Sequence, residues 1–171
     1  MPEAPGPRFL VAEPDRLMAE LLRDALGEGF PRCDVVVTAH GEEAWRIVRT
    51  DSRDLAILDV HLAGKSGEWV LRQIRGTACS LPVIMTAAHP TAELEATLLR
   101  LGADDVLPKP FPMQVLIERV RRWLRRVPPQ HRTHTQVGDM TLYHRATVAS
   151  GAAGMRLEHG RIGLEDAAKY R

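Results

Sequence analysis

The segment Asp54-Leu55-Ala56-Ile57-Leu58-Asp59 is an apolar run that stops on a carboxylate, and the short, glycine-bearing stretch from Val60 to Gly67 follows it. Four consecutive apolar residues without polar alternation are too few for a helix and read as a strand buried on both faces, the kind found in parallel sheets. Asp59 then stands at the carboxyl end of that strand. Ligands of open α/β sheets collect outside those ends, so a carboxylate delivered there can meet a cation or a phosphate. Taken alone, it can equally be a strand-terminal aspartate that caps the next turn.

Reading outward, Phe9-Leu10-Val11-Ala12 forms a first strand that ends on Glu13-Pro14-Asp15. Pro14 suits the first helical position, and Leu17, Met18, Leu21, Leu22 and Ala25 predict one buried face for the helix that follows, closed by Gly27 and Gly29. A second strand is expected at Val35–Thr38, with a helix over Glu42–Arg49. After the central strand comes a helix over Glu68–Arg75, then a strand at Pro82–Thr86 and a helix through Leu94, Leu98 and Leu101 that stops at Gly102. Asp105-Val106-Leu107 leads into Pro108-Lys109-Pro110, and a last helix spans Pro112 to Val127 with Leu116, Val120 and Leu124 on one face. Strict alternation of strand and helix predicts a doubly wound parallel five-stranded sheet with helices on both sides.

The remaining composition narrows the function. A chain of 171 residues holds one domain of common size and an appendage, and a net charge of +1 gives no global pull toward nucleic acid or anionic membrane. No apolar run reaches the length of a bilayer span, and the start of the chain lacks a signal-peptide build, so no membrane partner and a cytoplasmic location are expected. Cys33 and Cys79 form no CxxC pair and read as small buried residues. The tandem prolines Pro128 and Pro129 predict a boundary: a domain over 1–127, a linker over 128–136 and a β-rich extension over 137–171, with strands at Gly138–Tyr143 and Ala146–Ala149. His131-x-x-His134 has metal-compatible spacing, but it lies in the linker without carboxylate or thiol partners and reads as solvated. Trp45, Trp69 and Trp123 fall within helical patterns and read as packing residues.

Three strand ends thus bring Glu13, Asp59 and Lys109 to one sheet edge, with Thr86 at a fourth. Ile57-Leu58-Asp59, Met85-Thr86-Ala87, Gly102-Ala103-Asp104-Asp105 and Lys109-Pro110-Phe111, in this order and spacing, resemble the receiver domain of bacterial response regulators over residues 8 to 127. The resemblance implies a flavodoxin-like receiver fold, and phosphorylation of Asp59 by a sensor histidine kinase, with Thr86 and Lys109 reading the product. Mg²⁺ would be held by Glu13, Asp59 and the carbonyl of His61. It also implies a signalling module in two-component phosphorelay rather than an enzyme, with self-phosphotransfer and autodephosphorylation as its only chemistry. Physically, a carboxylate attacking phosphorus needs the phosphoryl charge offset, which a divalent cation and an ammonium do well.

Two departures qualify that likeness. The family usually carries two adjacent acidic residues where this chain has Glu13-Pro14, and proline supplies no side-chain oxygen, so weak, about millimolar, Mg²⁺ binding is expected. The aromatic residue that many members place three before the lysine is Val106. A phosphate-independent receiver acting as an interaction module is therefore the alternative. In winged-helix members, the face of the fourth helix, fifth strand and fifth helix pairs two receivers; Asp105 and Arg119 match one such charge pair, whereas Glu95 with Val115 and Arg100 with Arg121 do not. The arginines between Glu118 and Arg126 read as a solvated face. Val137–Leu142 resembles the opening of a winged-helix effector domain of a transcription regulator, but the sequence stops before a recognition helix. Direct DNA binding is not expected of the chain as it stands, with a truncated DNA-binding regulator as the further alternative.

Overall fold

The computed structural model describes residues 6–77, 79–126, 133–137 and 140–144. Five strands, β1 (Arg8–Ala12), β2 (Asp34–Thr38), β3 (Leu55–Asp59), β4 (Val83–Ala88) and β5 (Asp105–Lys109), alternate with five helices. The helices are α1 (Arg16–Gly29), α2 (Gly41–Thr50), α3 (Gly67–Arg75), α4 (Ala92–Arg100) and α5 (Met113–Arg126). All strand pairs in this sheet are parallel, in the order β2-β1-β3-β4-β5. The chain leaves β1 toward β2 and then returns past it to β3. The strand order thus reverses between β1 and β3, the crevice where doubly wound folds place their ligands.

Side-chain alternation divides the core in two. Leu10, Ala12, Ala56, Leu58, Val83, Met85 and Val106 face the helices α2, α3 and α4, where Ala44, Ile47, Val70, Leu71, Ile74 and Leu98 cover them. Phe9, Val11, Leu55, Ile57, Ile84 and Leu107 face α1 and α5, against Leu22, Leu26, Leu116 and Val120. Every residue of β3 is buried, as its apolar run requires. Trp45 and Trp69 pack on the first cluster and Trp123 on the second. Both cysteines are only half-buried, with burial raising the pKa of the Cys33 thiol.

The face of α1 differs from its sequence pattern. Ala19, Leu22 and Leu26 are buried, whereas Leu17 is 67% and Leu21 46% exposed. Adjacent helical residues lie about 100° apart, so once Leu22 points at the core its neighbour Leu21 turns away from it. The helix also starts later than Pro14: Asp15 is the N-cap, its carboxylate accepting the Met18 N–H at 2.9 Å. At the far end of α4, Gly102 adopts φ +99 and its N–H bonds to Leu99 O, the left-handed turn expected of a glycine stop.

A separate antiparallel pair joins β6 (Thr133–Val137) to β7 (Met140–His144). All but the last residue of β6 lies in the stretch expected to be a linker, and the partner of β7 precedes it in sequence instead of following it. The β-branched spacing Thr133, Thr135, Val137 is compatible with a strand, a signal that the preceding prolines masked. The strand expected at 146–149, the residues beyond it, and His131 lie outside the described residues.

Candidate functional site

Strand register assembles the site. Ala12 lies opposite Leu58 and Asp59 opposite Thr86, so the residue after β1 and the last residue of β3 emerge side by side, while Lys109 ends β5 opposite Ala88. Glu13, Asp59 and Thr86 are 2%, 4% and 0% exposed. Lys109 Nζ bridges the two carboxylates, at 2.6 Å from Glu13 Oε2 and 2.6 Å from Asp59 Oδ2. Thr86 Oγ1 donates to the same Asp59 oxygen at 3.3 Å. The other oxygen, Asp59 Oδ1, accepts the His61 N–H at 2.6 Å. Glu13 Oε1 accepts the Asp15 N–H at 3.1 Å, and the Glu13 N–H is held by Thr38 O at 2.9 Å.

The four residues singled out at strand ends therefore converge. His61 joins them through its peptide, its side chain being exposed. Asp15, the acid that follows Pro14, has turned its carboxylate to the helix end. No group of three or more His, Cys, Asp or Glu side chains among the described residues forms a metal cluster. The Glu13 and Asp59 carboxylates, with backbone oxygen and water, could hold a cation, a donor set that suits a hard, hydrated ion.

Two carboxylates and one ammonium leave a local charge of −1 in a buried pocket. Burial pulls the Lys109 ammonium down, but hydrogen bonds and charges from Asp59 and Glu13 outweigh it and hold its pKa above the ordinary 10.5. Lys109 thus stays protonated. Gly67 closes the floor, since a Cβ there would run into the Asp59 carbonyl oxygen. The arrangement offers a nucleophilic carboxylate oxygen, a hydroxyl and an ammonium around one point, which is what transfer of an anionic group requires.

A family model described as the response regulator receiver domain matches residues 9–121. The chain belongs to the response regulator receiver family. It is 36% identical over 138 residues to response regulator MprA of Mycobacterium tuberculosis, covering 79% of this chain and 59% of that protein. The MprA protein of Mycolicibacterium vanbaalenii is 37% identical over 122 residues, 71% of this chain and 52% of its own length. The match thus spans a little over half of these curated relatives. Among solved structures, the receiver domain of the Francisella response regulator 1452 superposes with a TM-score of 0.66 at 30% identity, over 70% of this chain and 98% of that one. The BeF3-activated N-terminal receiver domain of Klebsiella pneumoniae RstA gives 0.64 at 30% identity, over 69% and 98%.

The expected interface residues lie on β5 and α5, the elements named for that face. Arg119 on α5 pairs with Asp105 at the start of β5 within the same chain, and its Nη1 also donates to Val106 O at 3.2 Å. Val106 is buried where many receivers carry the aromatic residue. Arg121 is taken up by Glu118 and Gly29 O, while Arg122 and Arg126 flank Trp123. Sequence reasoning missed three supports. Asp104 accepts from Val83 N and from Arg75, both at 2.7 Å. Buried Arg53 joins Asp34 and Asp51 at the opposite end of the sheet. Glu42 and Glu43 open α2 with contacts to both sides of the site. The paired acids at a helix start were the available signal for the last. No helix among the described residues is long and apolar enough to cross a membrane.

Proposed function

We propose that this receiver takes a phosphoryl group on Asp59 from a sensor histidine kinase and passes the signal on through altered protein contacts. The observation that carries the reading is the shared position of Thr86 Oγ1 and Lys109 Nζ on one oxygen of the Asp59 carboxylate, with the second oxygen held by the His61 N–H. An Asp59 oxygen attacks the phosphorus of the kinase's phosphohistidine. The P–N bond breaks, its electron pair leaves with the imidazole, and an acyl phosphate forms. Lys109 stays protonated through this step and turns from the carboxylate to a phosphoryl oxygen, offsetting its charge. Thr86 is within reach of the same group by rotation of its hydroxyl.

Receiver domains bind Mg²⁺ at their acidic site, and the residues present fit such an ion: Glu13, Asp59 and the peptide carbonyl of His61 would hold it. When bound, it supplies charge neutralisation for the phosphoryl oxygens. Pro14 and the capping role of Asp15 support the weak binding expected from sequence. These same departures favour a second reading, a receiver whose partner contacts do not depend on phosphate. Domain organisation stays within the first reading: a receiver over 1–127, a linker over 128–136 and an extension over 137–171. A homodimer through α4, β5 and α5 would have to open the internal Asp105–Arg119 pair or add a partner to it.

Incubation with Mg²⁺ and acetyl phosphate followed by intact-mass measurement tests the proposal. One added phosphoryl mass, absent from D59N, supports it. No adduct at saturating Mg²⁺ favours the phosphate-independent reading.

A further inference from the structure

The segment from Val60 to Ser66 carries the His61 peptide beside the acceptor, yet most of it is exposed and it passes through a left-handed Gly64 with φ +73. Such a loop keeps one shape only if other elements hold it. Its ends are tied to the sheet and to α3: Val60 N–H donates to Thr86 O at 2.9 Å and Gly67 N–H to Val60 O at 3.0 Å. The ties of its middle run to a different place, the junction of β2 and α2. Ala63 N–H donates to Ala39 O at 2.9 Å, Gly41 N–H to Ala63 O at 3.0 Å, and Lys65 N–H to Glu42 Oε2 at 3.2 Å. Two of these bonds are backbone to backbone. The third is made by a side chain, 23 residues away in sequence.

The fit is tight at Gly41, where a Cβ would strike the Lys65 carbonyl, while Gly64 faces the carboxylate end of the exposed Glu42 side chain. Glu42 lies in the first turn of α2, and its own N–H and that of Lys65 hold its carboxyl below the ordinary 4.5, with smaller contributions from Lys65 and His40. The neighbouring Glu43 reaches the other way, accepting from Thr38 Oγ1 at 2.6 Å, and Thr38 O in turn holds the Glu13 N–H. One helical turn thus braces both the loop behind Asp59 and the strand end that carries Glu13.

We propose that Glu42 is a positioning residue: its carboxylate fixes the loop after Asp59 against the start of α2, and so sets where the His61 peptide lies beside the acceptor. The consequence for phosphorylation rests on the Asp59 reading above; the hold on the loop does not. The role is hydrogen bonding rather than charge, so glutamine at this position should perform it and alanine should not.

The test is amide hydrogen exchange of the full chain by NMR without metal, with E42A and E42Q beside the wild type. E42A is expected to speed exchange at Lys65 about tenfold, the loss of one hydrogen bond, while Met85 in β4 exchanges as before and E42Q stays within about twofold of wild type. With acetyl phosphate, E42A should need about tenfold more Mg²⁺ for half-maximal phosphorylation, the low end of what outer-shell losses cost, with the rate at saturating Mg²⁺ retained and E42Q restoring the wild-type dependence. Unchanged Lys65 exchange in E42A, equal acceleration at Met85, or no rescue by E42Q overturns the proposal. If the wild type itself takes no phosphoryl group, the Asp59 reading fails, and the exchange result still decides whether Glu42 holds the loop.

Discussion

Replacing Lys109 by methionine keeps the aliphatic stem and removes the cation that Glu13 and Asp59 share. Nζ stands 2.6 Å from an oxygen of each, and those side chains are only 1% and 6% exposed, against 15% for Lys109 itself. Breaking a buried ion pair by deleting one partner costs about 3–5 kcal/mol, and the opening at Lys109 argues for the low end, about 3 kcal/mol. Two like charges are then left together in a buried pocket. Mg²⁺ should substitute for the lost ammonium: an ion at about 100 times its Kd stabilises by about 2.7 kcal/mol, and the variant should gain more from it than the wild type, where Lys109 competes. Urea unfolding at pH 8, with EDTA and with Mg²⁺, reads both effects. A variant within about 0.5 kcal/mol of wild type in EDTA, or one that gains no more from Mg²⁺ than the wild type does, would overturn this role for Lys109.

The same lysine predicts the alkaline limb. Its folded pKa lies above 10.5, so its stabilisation is fully present below that value and is lost as pH rises through the folded pKa; the difference between wild type and K109M should begin to close only above pH 10.5. At Pro14, which is exposed and precedes the helix cap, P14D adds an oxygen ligand at little structural cost and should tighten Mg²⁺ binding about tenfold or more. Trp69 fluorescence titration checks this, and an unchanged midpoint would show that position 14 does not face the ion. At Gly67, the alanine variant forces a methyl group toward the Asp59 carbonyl oxygen and should cost about 1–3 kcal/mol in urea unfolding while slowing phosphorylation.

The fold was largely legible in the sequence because each strand is an apolar run of parallel-sheet type, and each run ends where a polar residue faces the crevice. That is why the sequence pattern alone groups Glu13, Asp59, Thr86 and Lys109. What escaped detection depends on packing between distant segments. The face of α1 contains more apolar residues than the core can take, so pattern alone left Leu17 and Leu21 inside, and only the docking of α1 on the sheet selects Leu22 and Leu26. The charges of Asp105 and Arg119 were legible, but their contact within one chain depends on how α5 docks beside β5. The linker expectation rested on prolines and overlooked the β-branched residues at 133–137. The paired acids Glu42 and Glu43 marked a helix start, but nothing local marked the partner of Glu42, the backbone of a loop 23 residues away.

The account stands most directly on where the phosphoryl group goes. Borohydride reduction after phosphorylation converts an aspartyl phosphate to homoserine, and peptide sequencing by mass spectrometry then names the residue. The prediction is homoserine at position 59 and at no other aspartate. Reduction at a different carboxylate, or a phosphoryl group stable to borohydride, would contradict it.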